Sequence, residues 1–148
     1  MPLLLVRHAE AVAERAGLDD SARWLTKAGR AQARDVAERV RDQGLMPTRI
    51  VASPRVRTVQ TAELFAQVLG FRSTVEIVPS LSYTVPAEQA ARDLSAYPED
   101  ELVAAFGHMP TIAEIAARLT AQRHRDGFSP AQAVMIEDGR VVWSASPR

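Results

Sequence analysis

Arg7 and His8 stand together where the apolar run Leu3-Leu4-Leu5-Val6 ends. Two other segments end the same way: Ile50 to Ala52 leads into Ser53-Pro54-Arg55-Val56-Arg57, and Leu102 to Phe106 leads into Gly107-His108. A neutral imidazole can attack phosphorus with one ring nitrogen while the other, donating to a carbonyl or carboxylate, fixes the ring. Guanidinium groups bind phosphoryl oxygens in fork geometry and offset the charge that builds up during transfer. The chemistry within reach of these residues is phosphoryl transfer. His8 is the candidate nucleophile, Arg7 and Arg57 the clamp, and His108 a hydrogen-bond donor to the phosphoryl group or a proton-transfer group. Ser53 is a further candidate ligand for phosphate. Positive charge beside His8 is expected to lower its pKa from the reference of about 6.5, keeping the ring nucleophilic at neutral pH.

Each residue also has a plainer reading. A single arginine or histidine at a strand end is more often a loop-surface group or a satisfied structural side chain, so the weight rests on the three segments together. A metal site at His8 and His108 lacks the accompanying carboxylate-histidine cluster at ligand spacing, and none is expected. The third histidine, in Gln122-Arg123-His124-Arg125-Asp126, reads as part of a solvated basic loop.

For these segments to converge, the elements that carry them must run side by side. Short β-branched or leucine-rich runs alternate with segments of helical period, the pattern of a three-layer α/β/α fold with a mostly parallel central sheet. In such a sheet ligands bind at the carboxyl ends of the strands, where Arg7-His8, Ser53 and His108 fall. Strands are expected at residues 2–7, 49–53, 75–78 and 102–107, and helices at 27–43, 56–69, 86–96 and from Thr111 onward. Thr26 suits a helix N-cap, and Gly44 and Gly70 suit helix stops. Ala133 to Ile136 and Val141 to Trp143 read as a hairpin turned by Asp138-Gly139, with the chain fraying from Ala145. The irregular stretch from Ala11 to Trp24 directly follows the nucleophile and is placed to shape access to it.

Composition narrows the partners. A chain of 148 residues, 47% hydrophobic, has the size of one domain with its own core, so residues 1–148 are expected to form a single unit. Eighteen basic and eighteen acidic side chains cancel, giving no general attraction to nucleic acid or to an anionic membrane. Without cysteine there is no disulfide, thiolate metal site or thiol nucleophile. No stretch approaches the roughly 20 apolar residues of a membrane span, and the expected location is cytoplasmic.

These residues resemble the histidine phosphatase superfamily, also called the phosphoglycerate-mutase-like fold. Arg7-His8-Ala9-Glu10 is similar to its Arg-His-Gly nucleophile motif, and Leu25-Thr26-Lys27-Ala28-Gly29-Arg30-Ala31-Gln32-Ala33 to its Leu-Thr-x-x-Gly-x-x-Gln-Ala helix start. Ser53 through Ala62 resembles the segment with its second phosphate-binding arginine, and Gly107-His108-Met109-Pro110 its second active-site histidine. The motifs follow in family order over nearly the whole chain. The resemblance implies a phosphate pocket of Arg7, His8, Arg57 and His108, with a phosphohistidine intermediate on His8 that water hydrolyses and with no cofactor.

Two departures carry information. Ala9 stands where the family has glycine, so a methyl group must find room. Tyr83 stands where the mutase and small-molecule branches carry a glutamate proton donor, and no long insertion follows it. Both the compact length and the missing acid resemble the small bacterial phosphohistidine phosphatases of the SixA type. An imidazole leaving group needs less help from an acid than an alkoxide does. Glu10, Asp19, Asp20 and Glu88 remain as possible acids. The resemblance implies hydrolysis of phosphohistidine on a partner protein; a small-molecule phosphomonoesterase and a noncatalytic phospho-binding protein are the alternatives.

Overall fold

Four successive apolar residues, Leu3 to Val6, can be buried together only in a strand covered on both faces. In a computed structural model describing residues 1–122 and 127–148, they form the interior strand β1 (Leu3–Arg7). The remaining elements are α1 (Lys27–Asp42), β2 (Arg49–Ala52), α2 (Val56–Leu69), β3 (Glu76–Ile77), α3 (Ala87–Ser95), β4 (Val103–Gly107), α4 (Thr111–Thr120), β5 (Ala133–Glu137) and β6 (Arg140–Ala145). The sheet runs β3-β2-β4-β1-β5-β6. The first four strands in that order are mutually parallel, and the β5-β6 hairpin is added antiparallel beside β1. His124 lies outside the described residues.

Alternation along β1 sends its side chains into two separate cores. Leu4 and Val6 pack with Ala33, Val36 and Val40 of α1 and with Ala62 and Phe65 of α2. Phe65 meets Phe106 of β4 edge to face at 5.0 Å. On the other face, Leu3 and Leu5 pack with Ala90 and Leu94 of α3 and with Ile112 and Ile115 of α4. Helices on both faces of the sheet give the expected three-layer α/β/α architecture. No described helix is long and apolar enough to cross a membrane.

The strand register positions the chemistry. Arg7 of β1 lies opposite Gly107 of β4, and Ala52 of β2 lies opposite Phe106. His8, Ser53 and His108 therefore emerge within one residue of the same level at the carboxyl edge. The His8 N–H donates to Gly107 O at 3.0 Å, and the Ser53 N–H to Phe106 O at 3.1 Å.

Two expectations from the sequence are corrected. The third strand is limited to Glu76–Ile77, because it lies at the sheet edge, pairs with β2 alone and exposes both residues. The chain does not fray at Ala145, which is buried and paired with Ala133; beyond it, the Arg148 N–H donates to Asp35 at 2.9 Å. The Asp-Gly turn is as read: Asp138 and Gly139 have φ of 52° and 74°, as a tight two-residue hairpin turn requires.

Gly29 ties α1 to the segment after His8. Its helix begins at the Thr26 cap, whose hydroxyl accepts from the Gly29 N–H at 2.9 Å. The Glu10 backbone crosses so closely that a Cβ at Gly29 would overlap the Glu10 carbonyl oxygen. Gly29→Ala should therefore destabilise the fold by roughly 1–3 kcal/mol, as overpacking does. Chemical denaturation checks this, and a variant as stable as the parent would contradict the close approach.

Candidate active site

The arginines and histidines at the carboxyl edge share one arrangement. Each is tethered through one or two polar atoms, while another is left without a partner among the described residues. His8 donates from Nδ1 to the Ala9 carbonyl at 2.7 Å, since a carbonyl can only accept, so its free nitrogen is Nε2. Arg7 donates from Nη1 to Phe128 O at 2.8 Å, and its Nε is buried and unpartnered. Arg57 is held by Asp20, through Nη1 to the backbone oxygen at 2.8 Å and Nη2 to Oδ2 at 3.3 Å; its Nε is likewise unpartnered. His108 meets Ser53 Oγ at 2.6 Å through Nε2, leaving Nδ1 buried without a partner. The two imidazole centroids are 5.2 Å apart.

Buried polar atoms normally find partners, so several idle ones around two adjacent imidazoles mark a place prepared for a polar ligand. Burial here is deep: Arg57 is 4% exposed and His108 2%. The local sequence explains how. Arg57 lies in the first turn of α2, directly after the β2 edge, and Thr61 one turn later accepts from the Ala9 N–H at 3.0 Å while donating to Arg57 O at 2.7 Å. That bond turns Ala9 inward. Its methyl group is fully buried in the core with Leu25 and Ala62, so the residue that replaces the family glycine is accommodated by packing.

Burial also sets the protonation states. The His8 pKa is lowered from 6.5 to about 4, chiefly by desolvation; the Ala9 hydrogen bond opposes this, and Arg57, Arg7 and Arg23 add to it. The sequence reading assigned the shift to positive charge, but burial is the larger cause. His108 is lowered to about 3, again by desolvation first, then by His8, Arg57 and Arg55. Both rings are neutral at pH 7.

Of the four carboxylates singled out as possible acids, the structure brings only Asp20 into contact with this cluster. Its Oδ2 accepts from Tyr83 Oη at 2.8 Å and lies 3.5 Å from Arg55 Nη1; its Oδ1 accepts from Arg23 at 2.9 Å. Burial works to raise its pKa, but the hydrogen bonds from Tyr83, Arg23 and Arg57 outweigh it and hold the carboxyl well below the usual range. Asp19 caps the short turn that carries Asp20 by accepting from Ser21. Glu10 is exposed and accepts from the Thr26 hydroxyl at 2.9 Å, and Glu88 pairs with Arg92 on the surface of α3. Among the described residues no group of three or more His, Cys, Asp or Glu side chains is placed to hold a metal ion.

Ser53 is placed differently from its expected role on phosphate: fully buried, it lies between Thr58 and His108. Sequence reasoning missed Arg55 and Arg23. Arg55 stacks over the Tyr83 ring at 4.6 Å, and that ring meets His108 edge-on at 5.5 Å. The only signal for Arg55 was its place in Ser-Pro-Arg-Val-Arg, and for Arg23 there was none.

Comparison with known proteins places the chain in a family. Residues 3–82 match the family model of the histidine phosphatase superfamily (branch 1). Phosphohistidine phosphatase SixA of Escherichia coli K12 is 25% identical over 154 residues, covering 99% of this chain and 94% of that protein. A structure of the protein histidine phosphatase SixA complexed with tungstate superposes with a TM-score of 0.90 at 25% identity, covering 99% of this chain and 97% of the other. A phosphoserine phosphatase from Entamoeba histolytica shares the fold, with a TM-score of 0.71 at 16% identity over 97% of this chain and 95% of its own.

The histidine shifts make acid sensitivity predictable. Unfolded histidines protonate near about 6.5. His8 and His108 in the folded state do so only near 4 and 3. Between those values the unfolded chain holds more protons, so stability should fall as pH drops from about 6.5 toward 4. Unfolding midpoints measured across that range check this, and the dependence should weaken in His108→Asn. An unchanged slope in that variant would contradict the assignment.

Proposed function

This chain belongs to the histidine phosphatase superfamily and is a phosphatase, and from that premise we propose that it removes the phosphoryl group from phosphohistidine on a partner protein. His8 is the nucleophile. The observation that carries this reading is the Nδ1–H to Ala9 bond, which fixes the ring and leaves a neutral Nε2 with its lone pair free. Nε2 attacks phosphorus as the P–N bond of the substrate breaks, and the electron pair leaves with the substrate imidazole. That imidazole departs neutral when its other nitrogen carries a proton. Water then attacks the phosphoryl group on His8, and the P–N electron pair returns to Nε2.

The unpartnered Nε–H groups of Arg7 and Arg57 meet the phosphoryl oxygens, so the charge is balanced by guanidinium and no metal is needed. The substrate class follows from the acids. Asp20 is held ionised by its arginines and Tyr83 spends its proton on Asp20, so neither stands ready to protonate an alkoxide. Phosphohistidine makes no such demand. The likeness to SixA, a phosphohistidine phosphatase, supports the same choice.

Rapid-quench labelling with a phosphorylated histidine domain should trap an acid-labile phosphate on the wild-type protein and none on His8→Ala. Equal labelling of both would remove His8 from the mechanism. Arg57→Ala should lower turnover by about 10²–10³, the cost of losing one donor to developing charge; a loss under tenfold would contradict the clamp. Faster hydrolysis of sugar phosphates or nucleotides than of the phosphohistidine domain would move the substrate to small molecules.

A further inference from the structure

We propose that Ser53 and Thr58 are positioning residues for the phosphatase reaction, holding His108 as its Nε2–H tautomer so that Nδ1 serves the site as a proton acceptor. The protons available along this buried chain set the tautomer. Thr58 Oγ1 lies 2.9 Å from Arg55 O and 3.0 Å from Ser53 O, and both carbonyls can only accept. The single Thr58 proton is therefore committed to the backbone. Ser53 Oγ, 2.7 Å from Thr58 Oγ1, must supply the proton of that contact. Having spent it, Ser53 can only accept from His108 Nε2 at 2.6 Å.

The reverse polarity would turn the Thr58 proton away from both carbonyls, leaving Ser53 O and Arg55 O with the Arg55 and Val59 N–H groups as their donors. Ser53 and Thr58 are each fully buried, so solvent does not reach either hydroxyl to offset that loss. A neutral His108 carries one proton, and the chain fixes it on Nε2. Nδ1 is thus bare, which agrees with its being buried without a partner. The two histidines face the site in opposite senses: His8 keeps its proton on Nδ1 and works through Nε2, while His108 keeps its proton on Nε2 and works through Nδ1.

A bare Nδ1 cannot donate to a phosphoryl oxygen, but it can take a proton. Resting here on the proposed phosphohistidine intermediate, it accepts the proton of the attacking water. The new O–P bond forms, the P–Nε2 bond of His8 breaks with its electrons returning to His8, and the proton passes to His108. The products are neutral His8, hydrogen phosphate and a protonated His108, which then loses its proton to solvent. Phosphorylation of His8 needs no such acceptor, so the two half-reactions should depend differently on the Ser53–Thr58 chain.

Long-range ¹H–¹⁵N correlation spectra of the ¹⁵N-labelled full chain at pH 7, assigned with His8→Ala and His108→Asn, read the tautomers directly. The expected result is Nε2–H for His108 and Nδ1–H for His8; an Nδ1–H ring at His108 overturns the proposal without any variant. In Thr58→Val the His108 tautomers should mix, and hydrolysis of the labelled phosphoenzyme should slow by roughly tenfold or more while its formation changes less. Ser53→Ala, which removes the acceptor for Nε2–H outright, should mix the His108 tautomers in the same way. Unchanged hydrolysis in Thr58→Val, or equal slowing of both half-reactions, removes the positioning role. Failure to trap label on wild type strikes the phosphatase mechanism alone, because the tautomer result stands apart from it.

Discussion

The parallel pairing of β1 with β4 is the constraint on which everything else depends. Arg7 opposite Gly107 brings His8 and His108 out of the sheet side by side, and the backbone bond from His8 to Gly107 continues the ladder one step past the strands. A slip of one residue would exchange the two faces of β1, sending Leu4 and Val6 toward α3 and α4 and separating the imidazoles. The two hydrophobic cores therefore specify the register, and the register specifies the chemistry. The placement of the two imidazoles and the stability of the fold draw on the same apolar side chains.

Around that pair, the molecule keeps buried polar atoms in two states. Those that hold position are satisfied: Nδ1 of His8, Nη1 of Arg7, both terminal nitrogens of Arg57 and Nε2 of His108. Those left over, Nε of Arg7, Nε of Arg57 and Nδ1 of His108, have no partner among the described residues, at a cost in stability that a polar ligand can offset. Desolvation has a second effect in the same place. It keeps both imidazoles neutral, which a solvent-exposed pair near pH 6.5 would not be. Asp20 complements this by holding one arginine of the cluster and lying beside another, so the local excess of positive charge is tempered in the absence of substrate.

Much of this was legible in the sequence because it is written in local pattern. The leucine run of β1, the three- and four-residue spacing of α1 and α2, and the Asp-Gly turn each report a short-range preference. The segments after β1, β2 and β4 could be linked because strand ends in a parallel sheet share an edge. What stayed hidden depends on three-dimensional crossing. Ser53 behind His108, the grip of Asp20 on Arg57 and the inward turn of Ala9 each join residues from different elements. The short edge strand β3 was overestimated because Val75 to Val78 has strand propensity whether or not a second neighbour exists to pair with it.

The Thr61 hydroxyl, which accepts from Ala9 and donates to Arg57, has a consequence for motion. It joins the segment after His8 to the first turn of α2 through one buried atom. The Ala9 amide lies outside any helix or strand, yet its hydrogen can exchange with solvent only when that contact opens. Its protection should therefore follow that of α2 rather than of a loop. The segment that carries His8 thus borrows its rigidity from a neighbouring helix, and His8 and Arg57 loosen together or not at all.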